Sequence, residues 1–183
     1  MTSFYTEDEY KKLGFKSIGK NCLISKNACF YSISNISIGN NVRIDDFCII
    51  SGKVQLGNYI HISAYTALYG SQGIIIGDYC GCSSRTTIYS AVDDFSGEYM
   101  IGPMVPEELT KVTGGVVELK NYVQLGANTI VMPSITINEG AVTGACTLVR
   151  HDLEPWTINV GMPSKILKYR KDNAKVLSKN IEK

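Results

Sequence analysis

The chain has little charge of either sign to spare: 18 lysines and arginines stand against 17 aspartates and glutamates, a net of +1. Such a balance gives no global pull towards nucleic acid. No apolar run approaches the ~20 residues of a membrane span, and the N-terminus shows no stretch of signal-peptide type. A cytoplasmic protein is therefore expected. Histidine is scarce as well. His61 and His151 are the only two, too few for a three-imidazole zinc site. Cysteine is present six times but never as CxxC, and the close pair Cys80-Gly-Cys82 has no histidine beside it. Disulfide and metal readings lose their footing there.

What is present is a period. From Leu119 the chain reads Leu119, Leu125, Val131, Ile137, Thr143, Val149, one aliphatic or small residue every six. Four places after each of the first five come Val123, Thr129, Ile135, Ala141 and Thr147. Helices repeat near 3.6 and strands at 2, so a sustained period of six is neither. It marks a stacked repeat, and hexads mark a β-helix. Upstream the beat runs Ile18, Ile24, Phe30, then Ile38 to Leu68, then Ile76, Cys82 and Ile88. Three hexads make one turn, so coils begin near 18, 38, 56, 76, 119 and 137. The prediction is an all-β, parallel β-helix of about six coils, with Cys22, Cys48, Cys80 and Cys82 pointing inward as core fillers.

At 183 residues a single domain is expected, 1–183. Residues 1–14 form an N-terminal cap: Thr6-Glu7-Asp8-Glu9 is a capping box, the helix runs to Leu13, and Gly14 stops it. The β-helix occupies 15–150, with Gly39-Asn40, Gly57-Asn58 and Gly77-Asp78 at its corners. A long segment, 89–118, interrupts it. That segment carries Asp93, Asp94, Glu98, Glu107, Glu108 and Glu118 against Lys111 alone. Acidity of this kind is often a solvated surface, but its place at a break in a regular coil points to function. Residues 151–183 form a C-terminal extension, basic from Arg150 to Lys183, read as a helix. Tyr59, Tyr65, Tyr69, Tyr79 and Tyr89 are candidates for stacking on a nucleotide base or a neighbouring subunit.

The units INEGAVTGACTLV and VGMPSKILKYR resemble the hexapeptide-repeat acyltransferases, over about residues 14–170. The resemblance implies a left-handed β-helix and a homotrimer. It also implies acyl-coenzyme A as co-substrate, bound between subunits, with no permanently held cofactor. By that resemblance Gly161, Pro163 and Lys165 match the turn facing the nucleotide end of coenzyme A. Gly126-Ala127 and Gly144-Ala145 match places where the pantetheine arm nears the backbone, since glycine lacks a Cβ. The same pairs also serve as ordinary repeat corners.

Sugar O-acetyltransferases of this family keep a histidine in the long loop, and 89–118 has none; Asp93 or Asp94 takes its place. A hydroxyl is a poor nucleophile without a base, whereas an amine (~8 for an α-amino group) is partly free near neutrality. The loop resembles that of nucleotide-linked amino-sugar N-acyltransferases of surface-glycan biosynthesis, those acting on dTDP-4-amino-4,6-dideoxyglucose and the anthrose-pathway enzyme. Ser84, Asp94 and Glu118 are the catalytic candidates. The two carboxylates would hold the ammonium, and Ser84 would hydrogen-bond the acyl oxygen as it becomes an oxyanion. The plainer alternative makes Ser84 a coil corner, Asp94 surface and Glu118 a strand edge. Two further readings stay open: an O-acetyltransferase using His61 as base, and a non-catalytic β-helix scaffold.

Overall fold

The structure is a computed structural model that describes residues 3–181. Glu182 and Lys183 of the basic tail lie outside the described residues. Short parallel strands stack on three faces, and the hexad residues stand in register from turn to turn. On the first face Ile18, Ile38, Leu56, Ile76, Leu119 and Ile137 pair in succession. The second face stacks Ile24, Ile44, Ile62, Cys82 and Leu125, then the strands Val142–Thr143 and Thr157–Val160. The third carries Phe30, Ile50, Leu68, Ile88, Val131 and Val149. The second face adds a level beyond the six counted from the repeat, and Leu153 bridges back to Ile137 on the first. The solenoid has about seven turns.

The period of six follows from the geometry. Each side needs a two- or three-residue strand and a corner, and one residue of that strand points inward. Ile24, Ile44, Ile50, Ile62, Leu68, Ile88, Leu119 and Leu125 are fully buried, and each such aliphatic contributes about 1.5–3 kcal/mol. Cys22, Cys48, Cys80 and Cys82 are buried and free, as expected of fillers. Burial pushes the Cys48 thiol up to about 11 and that of Cys80 to about 12, so neither supplies a thiolate. Buried threonines Thr66, Thr86, Thr129 and Thr147 form a polar column in the core. Thr86 and Thr147 donate their hydroxyls to Ser83 O at 2.8 Å and Gly144 O at 2.8 Å, which satisfies them without solvent.

The corners hold a second ladder. Asn40, Asn58, Asp78 and Asn121 each accept, on a side-chain oxygen, the backbone N–H at the same corner one turn below. One residue on, the chain is left-handed at Asn41, Tyr59, Tyr79, Tyr122, Gly140 and Trp156. The rings of Tyr59, Tyr79 and Tyr122 stack at 5.0 and 5.2 Å, and Tyr122 meets Trp156 at 6.0 Å. Tyr69 stacks on Tyr89 at 5.3 Å, and Tyr65 on Phe47 at 5.1 Å. The clustered tyrosines therefore stack along the chain itself, because equivalent corners lie one turn, about 4.8 Å, apart.

Both ends differ from expectation in detail. The capping box forms, with Glu9 Oε2 accepting from Thr6 N–H at 2.7 Å, but the helix spans only Glu7–Tyr10 before a turn to Gly14 at φ +92°. Tyr10 is buried against the first coil. At the other end, Thr157–Val160 pairs antiparallel with Lys165–Tyr169, and among the described residues there only Ala174–Ser178 is α-helical. The excursion is a hairpin, Ala91–Asp93 against Val112–Gly114, with a short 3₁₀ turn at Glu107–Leu109. Beneath it the ladder is unbroken: Thr87 pairs with Ile130 as though the insert were absent.

Candidate active site

Six of the eight site residues expected from the sequence fall on one edge, between the second and third faces. Ser84 N-terminally neighbours Arg85 there, Gly126-Ala127 sits one turn above, and Gly144-Ala145 above that. Asn128 N–H donates to Ser84 O at 3.1 Å and Cys146 N–H to Ala127 O at 2.8 Å, which ties the column together. Gly161 O accepts from Leu148 N–H at 3.0 Å at the next level. Lys165, exposed, lies opposite Val160 at the top of the same edge. Ser84 is exposed, and among the described residues its hydroxyl has no hydrogen-bond partner. It is free to meet a ligand.

The two glycines of this edge have different reasons. A Cβ on Gly126 would fall 2.6 Å from Gly144 C, so stacking of turns demands glycine there. On Gly144 it would meet only the end of Val160, at 2.9 Å. Ala127 is half-buried and Ala145 exposed. A narrow ligand running up the edge would touch these methyls and the peptide groups between them.

Asp94 and Glu118 lie elsewhere. Asp94 sits at the base of the excursion, which leaves from the edge between the third and first faces. Its carboxylate accepts from the Ser96 hydroxyl at 2.6 Å and from Ser96 N–H at 3.2 Å. These bonds hold its pKa below the ordinary aspartate value. Glu118 is on the first face between Ile75 and Thr136, paired with Lys120 at 2.5 Å. One chain thus spreads the three catalytic candidates over two edges and a face. Residues flanking the excursion do return to adjacent turns, but the acid groups and Ser84 do not converge within the chain.

His61 has a partner that the sequence reading missed. Its Nε2 lies 2.7 Å from Asp45, which also accepts from Arg43 Nε at 2.7 Å. Burial raises the pKa of Asp45, but the hydrogen bonds from His61 and Arg43 outweigh it and hold the group below the usual carboxylate value. Arg43 and His61 pair directly across the second face, so the repeat spacing of 18 could have shown the cluster. A cleft of about 550 Å³ opens in front of it, floored by Gly81 and reaching Gln124. A larger cleft, about 690 Å³, lies between the excursion and Tyr69, Tyr89 and Ser71. Among the described residues no three His, Cys, Asp or Glu side chains are grouped to hold a metal.

No family profile matches the chain. It is 44% identical over 171 residues to the dTDP-4-amino-4,6-dideoxy-D-glucose acyltransferase of Escherichia coli, covering 92% of this chain and 89% of that protein. It superposes at a TM-score of 0.96 and 50% identity on AntD, an N-acyltransferase from Bacillus cereus solved with dTDP and 3-hydroxybutyryl-CoA, covering 99% and 97% of the two chains. AntD has also been solved as its S84C mutant with dTDP-4-amino-4,6-dideoxyglucose and coenzyme A, and as its D94N mutant with dTDP and coenzyme A. A hexapeptide-repeat acetyltransferase of Vibrio cholerae shares the fold at TM-score 0.62 and 18% identity, over 91% of this chain and 80% of its own.

Proposed function

This chain belongs to the hexapeptide-repeat acyltransferases that act on dTDP-4-amino-4,6-dideoxyglucose, and on that footing we propose how its residues divide the work. It is an acyl-CoA-dependent sugar N-acyltransferase. The observation that carries this is the 0.96 superposition on AntD over nearly the whole of both chains, joined to the free Ser84 on a groove-like edge. Acyl-coenzyme A lies along that edge, its thioester near Ser84, its pantetheine against Ala127 and Ala145, and its phosphates toward Lys165. No resident cofactor or metal takes part. The product feeds surface-glycan assembly. The β-helix is left-handed and the active enzyme a homotrimer, as in the family it resembles.

The reaction asks little of a base. The neutral 4-amine attacks the thioester carbon, the new C–N bond forms, and the carbonyl oxygen takes the charge. Ser84 O–H donates to that oxyanion, a contact whose loss costs ~2.7–4 kcal/mol in comparable sites. The C–S bond then breaks, and the ammonium proton leaves to the departing thiolate or to solvent. Asp94, held ionised by Ser96, orients the ammonium before it loses its proton. Because Asp94 and Ser84 stand on different edges, they meet only if the excursion of one subunit reaches the Ser84 edge of the next. The residue types and numbers of Ser84 and Asp94 coincide with the positions replaced in the AntD mutants, which supports these two assignments. Glu118, already paired with Lys120, is the third candidate and would act at the rim of the site.

The His61–Asp45 pair gives the O-acyl reading its one specific support, because a carboxylate that orients an imidazole is how a hydroxyl is activated. A free-thiol assay with several acyl-CoAs, against 4-amino and 4-hydroxy dTDP-sugars, separates the two. Turnover is expected with the amine alone. Asp94→Asn and Glu118→Gln are expected to weaken it moderately, and His61→Asn to leave it nearly intact. Turnover of the hydroxy sugar, abolished by His61→Asn, would establish O-acyl transfer instead.

A further inference from the structure

The Ser84 edge changes character at Ser84. Its left-handed corner positions are, in order up the stack, Phe47, Tyr65, Arg85, Asn128 and Cys146. Above Arg85 the corners are short and neutral. At and below it they are long: Phe47 and Tyr65 stack at 5.1 Å, and the Arg85 guanidinium lies 4.9 Å from the Tyr65 ring centre. The corner requires a left-handed residue, and Asn128 shows how it is met at low cost, since asparagine visits that region readily. At the corner joining the first and second faces, ring follows ring from Tyr59 to Tyr122. Here the ring stack ends in a cation immediately beside the free serine.

That cation is unspent. Arg85 is exposed, and among the described residues its guanidinium makes no ion pair or hydrogen bond. The acids lower on the edge are already engaged, Asp45 by Arg43 and His61, Asp46 by the Ser25 hydroxyl. They also stand about 10 Å below, at two turns of about 4.8 Å. The Tyr65 ring braces the exposed guanidinium at 4.9 Å, and a planar N–H fork matches phosphate oxygens in pairs. The donor takes the small-residue half of the edge above Ser84. An acceptor that brings its amine to Ser84 must approach from another side, and Arg85 is the unpaired cation that borders Ser84 directly.

We propose that Arg85, braced on Tyr65, binds the diphosphate of the acceptor nucleotide, so that Ser84 divides the edge into a donor half above and an acceptor half below. The inference rests on the proposed nucleotide-sugar reading and adds a specificity residue to it. A diphosphate also occurs in coenzyme A, and the test separates the two sources. In Arg85→Gln, KM for the dTDP-amino sugar is expected to rise roughly tenfold or more, as for loss of a charged hydrogen bond. The KM for acyl-CoA and kcat are expected to stay within about twofold. Calorimetry should show dTDP binding weakened and coenzyme A binding unchanged. Arg85→Lys, which keeps charge without the fork, should fall between, and Tyr65→Leu should weaken dTDP selectively by releasing the brace. A selective loss of coenzyme A affinity would assign the cation to the donor and overturn the proposal, as would unchanged binding of both ligands. Were wild-type protein to bind no dTDP at all, the broader functional reading would fail; dTDP bound equally by wild type and Arg85→Gln would sink this inference alone. Should Arg85→Gln not fold, the Lys and Leu variants carry the same comparison.

Discussion

Gly140 shows how a single residue can be fixed by its neighbour's ring. It occupies the corner column otherwise held by Asn41, Tyr59, Tyr79 and Tyr122, all left-handed, so its φ of +66° alone does not require glycine. Its space does. A Cβ there would lie 2.4 to 2.6 Å from three ring atoms of Trp156. The indole cannot swing away freely, because Arg170 and Lys175 lie over it at 5.6 and 5.2 Å. Arg170 also donates to Gly140 O at 3.2 Å. Gly140→Ala is therefore expected to destabilise by about 1–3 kcal/mol, the usual range for overpacking, seen as a lowered calorimetric midpoint. The same change at Gly97, which has no atom within 4 Å of its missing Cβ, meets backbone strain but no clash. A Gly140→Ala protein as stable as wild type would mean that Trp156 is free to move. Residue identities on the edges were legible from counting: Ala127 and Ala145 are one turn of 18 apart, and Ser84 aligns with Ala127 once the hexads restart at Leu119 after the insert. The His61–Asp45 contact is legible in the same way, since Arg43 lies 18 residues, one turn, before His61 and Asp45 follows it by two.

At the scale of elements, the sequence spoke clearly where it repeated and poorly where it stopped. Strand registers such as Leu119 with Ile137 follow from the hexads alone. The strand Lys165–Tyr169 does not, because Lys-Ile-Leu-Lys-Tyr alternates no clean face and all five residues are exposed. Its partner is chosen by the reversal at 161–164, which aims it back along Thr157–Val160. The helix Ala174–Ser178 is too short to hold itself. It is held by Tyr122, whose hydroxyl lies 2.8 Å from that of Ser178, and by Lys175 on Glu139. Together they cover a cleft of about 640 Å³ lined by Val142, Ile158 and Leu177. Removing the chain after Arg170 should lower the melting midpoint by a few degrees and leave the far-ultraviolet β-signal unchanged. Binding of a hydrophobic dye to the bared strip should rise. Loss of the β-signal would instead make this helix an obligatory end cap.

For the whole molecule, each turn touches mainly the turns above and below, so stability is close to a sum of neighbouring terms. The excursion adds little to that sum. It leaves after Ser90 and returns at Gly115, whose N–H donates to Ser90 O at 2.9 Å, and Ala91 pairs with Gly114. Replacing 92–113 by a two-residue turn is expected to keep the melting midpoint within a few degrees while abolishing N-acyl transfer. An unfolded product would show that the solenoid depends on its insert. The loop's role was the least legible part of the chain for the same physical reason. Without a repeat or a helical face, nothing in 89–118 fixes where Asp94 points.

Ser90 and Gly115 standing side by side has a consequence for ancestry. The ladder is blind to how much chain is looped out between them, so length and composition there can drift without any accompanying change in the core. A lineage built on this frame can exchange a single cassette there while the stacked turns beneath it are inherited intact.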